Sequence, residues 1–230
     1  MLKTKAEWDD AYSLPFLLAR SQGFKASDDR DRIYAFLGLA HSGYAITPDY
    51  SASNTLCHVL TETTKNIILF ENRLNVLSAL GTYRCSRRPG LPSWVVDWTS
   101  VKVPIDASMN FNAVKSTPPH RDQAIVSFKE TTFPNTFQAA TVMEVTGIFA
   151  TLIPDLNRCP VFPLVGSDLL YGDGTTNLEV WYLGEFPFAL KSESYGYRII
   201  RRVGAFVDYL QVPSKQEALA RAIPRVISIF

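Results

Sequence analysis

Cysteine and histidine are scarce, with three of each in 230 residues. Cys57, Cys85 and Cys159 are odd in number and far apart, and no C-x-x-C or Cys/His pair has zinc-site spacing. A disulfide framework and a structural metal are therefore not expected, and a reducing, cytoplasmic location is the default. An excess of either charge is also lacking. Lys and Arg total 23 against 22 Asp and Glu, a net charge of +1, so no global field favours nucleic acid. The densest basic cluster, "YRCSRRPG" at 83–90, is read as a loop. Long apolar runs are missing too. The N-terminal run, Leu14 to Ala19, is short and follows acids, so it is not a signal peptide. Nothing approaches the roughly 18 apolar residues that a membrane span needs. G-x-S-x-G, P-loop, G-x-G-x-x-G and H-E-x-x-H patterns are all absent, and no cofactor is expected.

What is present is ordinary globular material, 47% hydrophobic and 20% charged. The first 80 residues read as a helical subdomain. Pro15 suits the first turn of a short helix around Phe16 to Arg20. In "KASDDRDRIYAFLGLA" (25–40), Ser27 or Asp28 is a candidate N-cap, and Ile33, Phe36, Leu37 and Ala40 recur at helical spacing. A second amphipathic helix places Leu56, Val59, Leu60, Thr63, Ile67 and Phe70 on one face, with Ser53 or Asn54 as its cap. "LNVLSAL" fits either the helical layer or a sheet.

Residues 81–122 are broken by Gly81, Pro89, Gly90, Pro92, Pro104, Pro118 and Pro119, and read as a loop-rich connector. From 123 to 212, short runs rich in Val, Ile, Phe and Tyr alternate with turn segments such as "YGDGTTN" and "KSESYG". "GDGTTN" reads as a hairpin turn, not a phosphate cradle. Residues 213–230 read as a final helix, kinked or ended by Pro224. The expected fold is α+β, an N-terminal helical layer packed on a C-terminal antiparallel sheet or small β-barrel, in one compact unit.

The order of landmarks adds a resemblance. "ASDDRDRIYAFLGLA", "ITPDYSAS" (46–53), "LPSWVVDWTS" (91–100), "VTGIFATLI" (145–153) and "YGDGTTNLEVWYLGEFPFALK" (171–191) occur in that sequence. They resemble the region that follows the HET domain in fungal heterokaryon incompatibility proteins. That family carries an RDxIYALLGL helix, a PDY step, LPSW-x-x-DW, and a GD-x-V-x-V-L-x-G-x-x-P-x-x-LR hairpin. The resemblance covers about residues 20 to 212. The upstream LSYxWG and IWIDxxCINQ motifs of the HET domain do not occur, and the hairpin ends on Lys191 where the family often has arginine. The expectation is a fragment or a free-standing protein built on the downstream module. At the helix start, Asp31 with Arg30 or Arg32 matches the family motif and reads as a structural clasp in which an arginine fork ties a neighbouring loop.

Several positions are candidates for chemistry. Cys57 and His58 diverge by about 100° on a helix and do not form a thiol–base pair. In an extended "SWVVDW", Trp94, Val96 and Trp98 share one face and Val95 and Asp97 the other. A tryptophan wall beside a carboxylate suits an apolar ligand with one polar handle, and it equally suits core plugs joining the helical layer to the sheet. Asp49 and Tyr50 of "PDY" divide similarly between a ligand role and a turn role. Trp181 and Phe186 on the hairpin either line a pocket or fill it. The candidate catalytic residues are thus Asp97 and Asp49, and the candidate ligand-binding residues are Trp94, Trp98, Tyr50, Trp181 and Phe186, with no metal ligands.

Two functional readings follow. The first is a protein that binds an apolar small molecule, extending to a cofactor-independent cyclase or isomerase of fungal specialised metabolism. Such a reaction needs mainly shape and one or two polar groups. The alternative, implied by the resemblance, is a non-catalytic interaction or regulatory module of the incompatibility type with a protein partner. Neither involves nucleic acid or a membrane.

Overall fold

The computed structural model describes residues 13–21, 23–80, 88–100, 126–132, 139–155, 176–184, 186–202 and 223–230. Helix α1 (Leu14–Arg20) opens with proline in its first turn, where the missing N–H costs nothing. Its Leu14 N–H donates to the Tyr44 hydroxyl at 3.2 Å, and Leu14, Leu18 and Ala19 face the core. The charged stretch yields only a one-turn helix, α2 (Asp31–Tyr34), followed by turns to Leu39. Asp28 closes a turn ahead of it, accepting the Arg30 N–H at 2.9 Å.

Helix α3 (Leu56–Glu71) buries Val59, Leu60, Thr63, Ile67 and Ile68. Its cap is Thr55, which accepts the His58 N–H at 3.3 Å, not Ser53 or Asn54. Asn54 is occupied elsewhere, donating to Asp49 O at 2.9 Å and to the Tyr34 hydroxyl at 3.2 Å. "LNVLSAL" joins the helical layer as a 3₁₀ turn over Asn75–Ala79, with Val76 and Leu77 buried.

Among the described residues six strands follow: β1 (Val126–Thr132), β2 (Ala139–Asp155), β3 (Thr176–Leu183), β4 (Phe186–Glu193), β5 (Gly196–Arg202) and β6 (Arg225–Ile229). The seventeen residues of β2 suffice to pair with β1 at its start, β6 at its middle and β3 at its end. Pairings run from β2 through β3, β4, β5 and β6 and return to β2, a closed five-strand ring with β1 alongside. The fold is α+β, as expected. All pairings are antiparallel except one. The closing contact between β5 and β6 is parallel, through Tyr197 and Ile229, and is reinforced by the Phe230 N–H donating to Tyr197 O at 3.1 Å.

The expectation of a helix over 213–230 fails at its end, where Arg225–Ile229 is a strand. Pro224 disfavours helix in the residue before it and has no N–H to continue one. Beyond it, Ile227 and Ile229 point inward while Val226 points out, a period of two. Residues 213–222 and most of the 172–177 turn lie outside the described residues.

The connector segment 88–100 joins the two halves. Trp94 Nε1 donates to Thr141 O in β2 at 3.2 Å, and its ring meets Phe128 of β1 at 5.1 Å. Ser93 Oγ accepts the Ile199 N–H of β5 at 2.9 Å. On the other side, the Val96 N–H donates to Thr64 Oγ1 of α3 at 3.3 Å, and Arg32 Nη1 of α2 donates to Thr99 O at 2.6 Å. One continuous core therefore runs from Leu14 through Trp94 to Ile229. Among the described residues, no helix is long and apolar enough to cross a membrane.

Gly196 sits where the ring closes. Its φ is +144°, and a Cβ there would lie 2.5 Å from Ser228 O, which is backbone and cannot swing aside. Gly196→Ala is expected to cost roughly 2 kcal/mol or more in urea unfolding. An unchanged midpoint would show that the β5–β6 contact does not hold the barrel.

Candidate functional site

The carboxylate of Asp97 is spent on its own turn. Oδ1 accepts the Thr99 N–H at 3.0 Å and the Thr99 hydroxyl at 2.6 Å, and Oδ2 accepts Arg88 Nε at 3.3 Å. The segment around it is not extended. Turn bonds from Val95 N to Pro92 O (3.0 Å) and from Trp98 N to Val96 O (3.2 Å) fold it so that Trp94, Val95, Val96 and Trp98 are all buried. Trp94 is wholly inaccessible and Trp98 is 2% exposed. Among the described residues, the Trp98 indole N–H has no hydrogen-bond partner.

Asp49 repeats the pattern on the surface. Its Oδ1 accepts the Ser51 N–H at 2.8 Å and its Oδ2 the Ser51 hydroxyl at 3.0 Å. The backbone N–H of Ser51 is the main cause holding this carboxyl below its ordinary value, so it stays ionised and is a poor proton donor. Tyr50 is 52% exposed and donates its hydroxyl to Asp31 Oδ1.

Around these two residues the charged stretch forms the expected clasp. Arg30 grips Asp28 through Nε (3.1 Å to each oxygen) and Nη2 (2.7 Å). Its Nη1 reaches Ser51 O and Asn54 O, both at 3.0 Å. The guanidinium lies 5.3 Å over the Tyr50 ring, which meets Tyr34 edge-on. The fork thus pins the "PDYSAS" loop to α2, a geometry that a lysine cannot reproduce.

A second polar cluster, not singled out in the sequence, lies under α1. Glu71 Oε1 accepts the Tyr44 hydroxyl at 2.8 Å and the Ser13 hydroxyl at 3.4 Å. Burial pushes the Glu71 carboxyl above its ordinary value of 4.5, opposed by the two hydroxyls and by the charge of Arg73. Burial, then the Glu71 charge, raises the Tyr44 phenol in turn.

The hairpin residues part company. Phe186 pairs with Leu183 beside the turn and packs, partly buried, on the core. Trp181 is itself a core residue, 3% exposed, and its outer edge forms the floor of an open groove of about 570 Å³ on the barrel, lined by β2, β3, β5 and β6. Its Nε1 donates to Glu179 Oε2 at 2.7 Å. The same negative charge acts on Tyr197, whose phenol is raised above its ordinary value by burial and then by Glu179. Phe149 and Tyr197 both meet the Trp181 ring edge-on with centroids 5.6 Å away. Tyr195, 48% exposed, and Val226, 69% exposed, form the rim with Phe149 and Arg225.

The structure therefore divides the seven candidate residues among four places. Trp94, Asp97 and Trp98 lie in the connector plug, Asp49 and Tyr50 in the clasp, Phe186 at the hairpin, and Trp181 in the groove. The groove is assembled from strands far apart in sequence. Only the Glu179–Trp181 spacing, which puts both on one strand face, carried a local signal. Among the described residues, no group of His, Cys, Asp and Glu is placed to hold a metal ion.

No family model, curated protein or solved structure matches this chain.

The buried Glu71 has a measurable consequence. An acid whose value is raised in the fold contributes most below its ordinary value, and the contribution is lost as pH rises through the raised one. Asp28 and Asp49 are lowered instead, so their contribution is lost only as pH falls below 3.8. Glu71→Gln keeps an acceptor for Tyr44 without the charge. Its stability relative to the parent chain is expected to rise between pH 4.5 and neutrality. Urea titrations across that range check this; a constant difference would show that Glu71 does not titrate abnormally.

Proposed function

We propose that this chain is a binding protein for a small, largely apolar molecule, and that the ligand lies in the barrel groove on Trp181, not between Trp94 and Trp98. The observation that carries this reading is an aromatic lining built around one fixed indole: Glu179 holds Trp181, and Phe149 and Tyr197 both pack edge-on against its ring. Fixed aromatic walls bind flat apolar bodies at little entropic cost. A groove of about 570 Å³ suits a ligand of ordinary metabolite size. A cytoplasmic location belongs to the same proposal.

Extension to a cofactor-independent cyclase or isomerase runs through Glu179. It is the carboxylate among the described lining residues, whereas Asp49 and Asp97 are committed to their own turns. The second reading is a non-catalytic interaction module of the incompatibility type, resting on the ordered motifs quoted above. The exposed Phe149, Tyr195 and Val226 favour it, because an apolar rim open to solvent also suits a protein partner.

The test is a thermal-shift and tryptophan-fluorescence screen with planar apolar compounds. Hits are expected to weaken about fivefold in Phe149→Ala, the loss of one aromatic contact worth about 1 kcal/mol. Hits unaffected by Phe149→Ala and Tyr195→Ala would remove the groove from the account, and a screen without hits would favour the interaction module.

A further inference from the structure

The two charges in the groove are not equivalent. Glu179 is held at the floor, accepting from the Trp181 indole at 2.7 Å. Arg225 lines the same groove and is exposed, and among the described residues no carboxylate pairs with it. The indole N–H is neutral and leaves Glu179 its charge, so the two charges balance formally, and Arg225 is the one exposed at the rim. Arg225 is also held in place by its backbone, as the first residue of β6 and opposite Gly147 of β2. Its position at the mouth is set by the barrel.

We propose that the groove takes a planar aromatic monocarboxylate, with the ring against Phe149 and Tyr197 and the carboxylate on Arg225. The inference rests on the proposed placing of the ligand in this groove and adds its chemical class. A guanidinium fork matches a carboxylate with two parallel hydrogen bonds. A doubly charged phosphate ester would call for a cluster of donors, and among the described lining residues Arg225 is the one cation. A cationic ligand has aromatic faces and the Glu179 carboxylate available, and it is opposed by the exposed Arg225 in the same groove.

Three isosteric probes separate the possibilities: 2-naphthoate, 2-naphthamide and 2-naphthylmethylammonium, titrated calorimetrically at neutral pH and low salt. The carboxylate is expected to bind roughly fivefold more tightly than the amide, the size of a partly exposed charge pair. Arg225→Gln is expected to bring naphthoate down to the level of the amide while leaving the amide unchanged, and Arg225→Lys to keep part of the preference. Because Arg225 is exposed, both variants are expected to retain the parent circular dichroism spectrum. Equal binding of acid and amide, or tighter binding of the ammonium, overturns the carboxylate assignment and leaves the groove standing as the ligand site. Absence of binding by all three probes overturns the groove itself.

Discussion

Trp94 is the hinge on which the two halves of the molecule meet. Its ring is wholly buried against Phe128, and its indole N–H closes on the Thr141 carbonyl of the longest strand. One residue earlier, Ser93 satisfies the Ile199 N–H of β5. Two residues later, Val96 spends its own N–H on α3. A buried backbone donor left unpaired costs about 1–3 kcal/mol, and a truncated core tryptophan about 3–5 kcal/mol. Four residues of connector thus hold interactions comparable with the whole stability of a typical domain. Among the described residues the helical layer adds no strand to the six-stranded sheet, and these contacts and the shared apolar core seat it on the barrel.

The clasp has the same logic at the surface. Arg30 uses its whole fork, gripping Asp28 with one side and two loop carbonyls with the other. The alternating charges of the "DDRDR" stretch are therefore not a solvated face. Arg32 reaches the connector, Asp31 receives Tyr50, and Asp28 anchors Arg30. The loop that begins α3 is fixed before the helix starts, and α3 presents Thr64 to the connector. Local electrostatics, the helix and the tryptophan plug form one chain of dependence. The groove stands apart from it, on barrel strands that the plug steadies from behind.

Much of this was legible in the sequence, for identifiable reasons. Pro15 located the start of α1 and helical spacing located α3, though not its Thr55 cap, and β-branched alternation located strands after residue 123. The misreadings have physical causes. "EALARAI" is strong helix-forming sequence, and it carried the expected helix past Pro224 into "RVISI", where the alternation of two had already begun. Closure of the ring depends on Tyr197 meeting Ile229 in parallel, a long-range pairing with no local signature. Asp49 and Asp97 looked available for chemistry. Each, however, is followed two residues later by a hydroxyl residue, Ser51 and Thr99, the pattern of a side chain that closes its own turn. The groove residues Tyr195, Tyr197 and Arg225 come together only once the barrel has closed.

The central claim is that the connector plug and the two layers it joins form one cooperative unit. Native-state hydrogen exchange at the Trp94 indole N–H tests it most directly, followed beside the α3 amide of Ile67 and the β2 amide of Val145. All three are expected to exchange only through global unfolding, with the same free energy and the same dependence on denaturant. A Trp94 indole that exchanges freely while Ile67 and Val145 stay protected would contradict the account, leaving two layers that fold independently of the plug between them.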